Sequence, residues 1–238
     1  MRPLEAALSA PSRSINSIVQ DDAHAAFPER ISEWPFGDHG LNARVVETGE
    51  GLPVVFLHGL VGLNEHWEGV VERVQHRTRC ILFELPLLRL RGDDCSIQGA
   101  MRLTAKFLAE YLDEPAILVG NSFGGHVALR IAIEHARVVR GLVLAGSSGL
   151  IEKTMVDKPE HRPSREWLRR KIGELFFDKS KMREADLDRA HAELSDSLCA
   201  RAMVKLAKSA RRDHLGERIA TITHPTLLVL SLIHISEP

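Results

Sequence analysis

The chain has 238 residues, 44% of them hydrophobic and 26% charged, a balance that fits one sizeable folded α/β domain with an insert. Dominant disorder is excluded, and so is a fibrous repeat, because the 17 Gly and 11 Pro follow no period. Lys and Arg number 31 against 32 Asp and Glu, so the formal net charge of −1 provides no global basic field for nucleic acid or an anionic membrane.

Residues 1–30 show no clear periodicity and are expected to form an irregular N-terminal arm. They hold no long apolar segment, and Asp21 and Asp22 come early, which argues against a secretory leader. No stretch of about 18 apolar residues follows, so a cytoplasmic protein without a membrane helix is expected. The cysteines Cys80, Cys95 and Cys199 are odd in number and far apart. They predict neither a disulfide framework nor a zinc site, and they suit a reducing compartment.

Leu41 to Glu47 alternates as a strand does, and a Gly-Glu-Gly turn follows. Pro53 to His58 is a short continuous apolar run, the pattern of a strand buried on both faces. His66 to Arg77 reads as a helix, and Cys80 to Leu85 as a second buried strand. Ile97 to Leu112 places Ala100, Leu103, Phe107, Leu108 and Tyr111 on one helical face. Ala116 to Gly120 is a strand, Phe123 to His135 a helix, and Gly141 to Ala145 a strand. This alternation predicts right-handed βαβ crossovers and a mostly parallel sheet with helices on both faces.

The rhythm stops near Leu150. Residues 165–177 and 185–210 supply two or three charged helices, and Pro225 to Leu230 returns to a buried strand. The expected organisation is therefore an α/β core from 31–149 and 215–238, interrupted by a helical cap over 150–214. Trp167, Leu168, Ile172, Leu175 and Phe176 fall on one face that packs the cap onto the core or lines a pocket. Arg165, Arg169, Arg170, Lys171, Lys179 and Lys181 read as a solvated face rather than an anion site. Trp67 serves equally as core or as pocket wall.

Gly120-Asn121-Ser122-Phe123-Gly124 matches G-x-S-x-G directly between a predicted strand and a predicted helix. Such a turn holds its central residue in a strained conformation at the carboxyl edge of the sheet, where α/β folds bind ligands. Ser122 is thus the candidate nucleophile. Gly120 and Gly124 leave room for the turn, and the following helix aims its N-terminal N–H groups at the site. Acyl transfer requires two N–H donors for an oxyanion. The Phe123 N–H is one, and the Leu60 N–H, in the His58-Gly59-Leu60 loop after the apolar strand, is the other. Gly59 lets that backbone turn inward, and His58 is read as a support for the loop rather than as the base. No phosphate-binding glycine motif, cofactor signature or metal-ligand spacing is present. A small-molecule substrate is expected, with no cofactor, nucleic acid or membrane partner, and a homo-oligomer is compatible with the sequence.

VVFLHGL at 54–60, GNSFGG at 120–125 and RGLVLAGSSG at 140–149 together resemble the α/β-hydrolase fold superfamily. Within it the chain looks most like bacterial hydrolases that cleave carbon–carbon bonds in ring-fission (meta-cleavage) products, and like related esterases. The resemblance implies a serine nucleophile at Ser122 and a cap that shapes the substrate pocket. It also implies a triad aspartate in a Gly-x-x-Asp segment after Pro225–Leu230, then a further strand, a helix and a Gly-His loop. The chain instead closes on Ser231 to Pro238 (SLIHISEP), which looks foreign to the pattern. His234 and Glu237 come too soon after the strand to replace the triad members. Gly146, Ser147 and Ser148 fill the alternative acid position. The expectation is a C-terminally truncated hydrolase with little turnover. The alternatives are a haloperoxidase-like enzyme and a non-catalytic ligand-binding homologue.

Overall fold

A computed structural model describes residues 28–36, 40–149, 163–174, 176 and 178–230. Most of the expected N-terminal arm, Leu175, and the tail with His234 and Glu237 lie outside the described residues. The strands are β1 (Arg30–Phe36), β2 (Leu41–Thr48), β3 (Leu52–Leu57), β4 (Thr78–Glu84), β5 (Ala116–Asn121), β6 (Val139–Ala145) and β7 (Thr226–Val229). The helices are α1 (Glu68–Val74), α2 (Ile97–Tyr111), α3 (Phe123–Glu134), α4 (Arg165–Gly173), α5 (Glu184–Ser195) and α6 (Ser197–Arg212).

The strands form one sheet in the order β1-β2-β4-β3-β5-β6-β7. β1, β2 and β4 pair antiparallel, and every pairing from β4 to β7 is parallel. The fold is thus the mostly parallel α/β-hydrolase arrangement read from the sequence. The chain runs from β3 outward to β4 on one side and then to β5 on the other. That reversal opens a crevice beyond the carboxyl ends of β3 and β5.

The apolar runs are continuous because both sheet faces are covered. Val55 and Leu57 of β3 point into the larger core with Ile81, Phe83 and Leu118. Their neighbours Val54 and Phe56 point to the other face, against Trp67, Val71 and Leu82. A strand alternates sides at every residue, so a strand sandwiched between helices is apolar throughout. All three cysteines are buried and free, and burial pushes their thiols above the ordinary range.

Several boundaries differ from the sequence reading. β1 lies where the sequence showed no strand. It is an edge strand with a mostly exposed face and a proline at Pro35, so it lacks an alternating signature. Trp34 anchors it, packing edge-on against Phe107 and Tyr111. The helix read from His66 begins as a 3₁₀ turn, Asn64–Trp67, before α1. The charged 185–210 segment is two helices, within the two or three expected with 165–177, because Asp196 caps α6 with acceptor bonds from the Leu198 and Cys199 N–H groups. β7 forms as expected but is not buried. It pairs only with β6, and Leu227, Leu228 and Val229 are exposed because no described element covers either face.

Candidate active site

Ser122 follows the last residue of β5 and precedes α3, with φ 50° and ψ −114°. Among the described residues it is the one non-glycine with positive φ. Such a conformation costs an L-residue about 1–3 kcal/mol and persists only when its surroundings impose it. Here the surroundings are explicit. The Ser122 N–H donates to the Ala145 carbonyl at 3.1 Å, and the Ser122 carbonyl accepts from the His126 and Ser148 N–H groups at 3.2 and 3.1 Å. Asn121 Nδ2 donates to the same Ala145 carbonyl at 3.1 Å.

The flanking glycines are close-approach sites. A Cβ on Gly120 would stand 2.5 Å from Gly125 Cα, and one on Gly124 would stand 2.2 Å from the Leu57 carbonyl oxygen. Gly124 thus lets α3 press against the end of β3, so the turn after β3 and the turn after β5 sit side by side. A Cβ built on Gly59 would lie 3.6 Å from Ser122 Cβ, which brings the two predicted loops together.

Both predicted oxyanion donors lie in these turns. Phe123 opens α3 with a buried side chain, and Leu60 packs its side chain on the larger core. Neither backbone N–H donates a hydrogen bond among the described residues. The Gly59–Gly62 turn is closed by the Gly62 N–H on the Gly59 carbonyl at 3.0 Å. His58 Nδ1–H donates to that same carbonyl at 2.7 Å. Burial holds His58 below the ordinary histidine range, so its ring is neutral near pH 7.

A cavity of about 560 Å³ lies above these turns. On the core side His58, Gly59, Asn121, Ser122 and Trp67 line it; on the other side Ile172, Phe176, Met182, Arg183, Asp186 and Arg189 from the α4–α6 segment close it. Trp67 takes both of its expected roles, since it lines the cavity and stacks obliquely on Phe56 at 5.3 Å. Lys181, read as solvated, also lines the cavity. Arg165, Arg169 and Lys171 conform to the solvated reading, with partners at Glu184, Asp188 and Glu174.

Arg183, Asp186 and Arg189 were not singled out by sequence. Burial opposes ionisation of Asp186, but a hydrogen-bonded Arg183 and the nearby His66 outweigh it and hold the carboxyl below its ordinary range. Their i, i+3 and i, i+6 spacing, which starts from the residue before α5, was the available signal, and it is shared by any charged helix. Among the described residues Ser122 Oγ has no hydrogen-bond partner, and no group of His, Cys, Asp and Glu is arranged to hold a metal.

The Alpha/beta hydrolase family matches residues 54–233. The chain belongs to that family. It is therefore by family an α/β hydrolase, and its curated relatives include named hydrolases and esterases. A 2-hydroxy-6-oxo-6-(2'-aminophenyl)hexa-2,4-dienoic acid hydrolase of Metapseudomonas resinovorans is 25% identical over 227 residues, covering 89% of this chain and 76% of that protein. A pimeloyl-[acyl-carrier protein] methyl ester esterase of Nitrosomonas europaea is 34% identical over 101 residues, covering 42% of this chain and 39% of that protein. Among solved structures, a serine hydrolase involved in carbazole degradation superposes with a TM-score of 0.67 at 25% identity, over 86% of this chain and 80% of that one. This chain thus spans 76% of the length of the first of these curated relatives and 39% of the second. No described helix is long and apolar enough to cross a membrane.

Proposed function

We propose that the chain is a serine-nucleophile hydrolase of a small carbonyl compound, either a ring-fission product or an ester, with α4–α6 as the cap over its substrate. The observation that carries this is the enforced positive φ of Ser122, on a strand–helix turn whose side chain lines the cavity. Ser122 Oγ attacks the substrate carbonyl carbon, or activates water for that attack, and its proton passes to a base. The carbonyl oxygen becomes an oxyanion held by the Leu60 and Phe123 N–H groups, neither of which donates elsewhere among the described residues. Collapse expels the leaving group, and water releases the acid product. His58, Gly59, Gly120, Asn121 and Gly124 hold the two turns in register.

The cavity suits a molecule that is partly apolar and partly charged, since Glu65 and Asp186 line it beside its basic side chains. Trp67, Ile172, Phe176 and Met182 offer apolar surface, while Lys181, Arg183 and Arg189 bring positive charge. The dienoic acid named for the Metapseudomonas relative has that character. The base and its orienting carboxylate are not engaged with Ser122 among the described residues, so the proposal includes little turnover by this chain. A site without its base retains only the residual catalysis of binding and oxyanion stabilisation.

The test is labelling with a fluorophosphonate probe, alongside turnover of a 2-hydroxy-6-oxo-dienoate and of p-nitrophenyl esters. Slow labelling that disappears in Ser122→Ala is expected. Equal labelling of both proteins sinks the nucleophile assignment. Turnover in the ordinary enzyme range of about 1–10³ s⁻¹ removes the claim of a missing base. Tight binding of the dienoate with no labelling at all favours a non-catalytic ligand-binding homologue.

A further inference from the structure

α5 lines the cavity with Asp186, Arg189 and Ala190 and meets the Gly59–Trp67 segment through Arg189 and Asp186. Arg189 Nη2 donates to the Val61 carbonyl at 2.8 Å. His66 Nε2 lies 3.4 Å from Asp186 Oδ2, and Arg183 grips the same carboxylate at 2.8 and 3.1 Å. Arg189 is itself steadied from within α5, since its Nη1 donates to Glu193 Oε2 at 3.3 Å.

The Val61 carbonyl is a telling place for this contact. The turn that carries the Leu60 N–H has glycine at both ends, Gly59 and Gly62, and glycine is the residue that loses most freedom on ordering. One carbonyl of the turn, Gly59, is held by His58 Nδ1–H at the end of β3 and by the Gly62 N–H from within the turn. The carbonyl of Val61 is fixed from α5 by Arg189. The Leu60 N–H shares a planar peptide with the Gly59 carbonyl, and the Gly62 N–H that holds this carbonyl shares its own peptide with the Val61 carbonyl, so Arg189 reaches the Leu60 N–H through that relay. An oxyanion donor acts through preorganised aim, so its effect depends on how firmly its peptide is held.

We propose that Arg189 is a positioning residue for the Gly59–Gly62 turn, so that the Leu60 N–H is aimed at the reacting oxygen only while α5 is seated over the cavity. Seating of the cap and assembly of the oxyanion site are then one event. The proposal rests on the reading above in one respect, the assignment of the Leu60 N–H as an oxyanion donor. It differs from a direct role for Arg189 in binding an acidic substrate, because a positioning role acts on every substrate, charged or not.

The experiment compares the full chain with Arg189→Lys and Arg189→Met. Two quantities are read: the Ser122-dependent acylation rate with p-nitrophenyl acetate, a neutral ester, and amide hydrogen exchange over residues 59–63. Deleting one oxyanion donor typically costs about 10²–10³ in rate, and loosening one should cost less, about tenfold. The Met variant is expected to acylate about tenfold more slowly at unchanged KM and to exchange faster at 59–63, with exchange over β3 and α3 unaltered. The Lys variant, which can still donate to the Val61 carbonyl, is expected to recover part of both effects.

Unchanged exchange over 59–63 in Arg189→Met overturns the proposal, and so does a loss seen only with acidic substrates. Exchange that rises equally across the whole chain also overturns it, because that marks a general loss of stability. If the unsubstituted chain shows no Ser122-dependent acylation, the functional reading fails. The exchange measurement still decides by itself whether Arg189 holds the turn.

Discussion

His126 Nε2 and Asp213 Oδ2 stand 2.9 Å apart, and this pair ties α3, the helix behind Ser122, to the end of α6. The imidazole is fully buried and packs against Gly149, whose carbonyl accepts from the Leu215 N–H at 3.0 Å. Both Asp213 carboxylate oxygens also accept from Arg130 Nη1, at 2.5 Å each, and Arg130 reaches on to Gln98 and Glu134. One buried cluster thus joins the chain leaving β6 to the chain returning from α6. Asp213→Ala would leave a buried guanidinium short of its anion and an imidazole without an acceptor, at a cost of roughly 3 kcal/mol. Asp213→Asn keeps an acceptor and should cost about half as much. Urea unfolding checks the order, and equal midpoints for the two variants would show that the charge is irrelevant.

The same cluster sets a pH dependence. Burial pushes both His126 and His58 below the ordinary histidine value of 6.5, against the pull of Asp213 in one case and the Gly59 carbonyl in the other. The unfolded chain therefore takes up protons first as pH falls through 6.5, and stability declines from there downward. Burial opposes the charge on Glu47 and Asp213 too, but hydrogen-bonded Arg79 and Arg130 outweigh it and hold both carboxyls below their ordinary range. Their contribution is present above the unfolded carboxylate pKa and is lost as pH falls through the folded value. The melting temperature should thus drop between pH 7.5 and 5.5 and keep dropping below about pH 4. His126→Asn should flatten the upper part of that profile; an unaltered slope there would remove His126 from the explanation.

The parts of the molecule that were readable in sequence are those where one physical requirement acts within a few residues. The apolar run at 53–58 needs only two covered sheet faces, and the glycines around Ser122 need only a tight turn. β1 was not readable, because an exposed edge strand that contains Pro35 carries no alternation and is held by Trp34 against distant rings. The exposure of β7 was equally hidden: Thr226–Val229 has the composition of a buried strand, and burial depends on what lies beside it. Arg189 and Asp186 were hidden for a third reason. Their meaning comes from a carbonyl and an imidazole on a turn more than a hundred residues earlier, and nothing in their own helix distinguishes them from solvated charges.

Ser122 offers a direct measure of strain. Its φ of 50° and ψ of −114° are open to glycine and costly to any residue with a Cβ. Ser122→Ala removes the hydroxyl but keeps the Cβ, so its stability should stay within about 0.5 kcal/mol of the starting protein. Ser122→Gly removes both and should be more stable by about 1–2 kcal/mol, even after the greater freedom of glycine in the unfolded chain is subtracted. Both should lose fluorophosphonate labelling. If the glycine variant melts at or below the alanine variant, the strain is not stored at this residue.

Gly124 tests how closely the two turns must approach. A Cβ there would meet the Leu57 carbonyl oxygen at 2.2 Å and the His58 carbonyl oxygen at 2.6 Å, both backbone atoms that cannot rotate aside. Gly124→Ala must therefore push α3 away from β3, at a cost of about 3 kcal/mol, the upper part of the range for overpacking. The displacement would act on the Phe123 N–H and on the His58–Gly62 turn together, so labelling at Ser122 should slow even in the fraction that stays folded. Gly173, the last residue of α4, has no described atom outside its own helix within 4 Å of the position a Cβ would take, so Gly173→Ala should be neutral or stabilising by up to about 1 kcal/mol. Thermal unfolding of the two variants separates the cases. Gly124→Ala with an unchanged melting temperature would mean that the turns tolerate separation, and that register between β3 and α3 is not what places Leu60 beside Ser122.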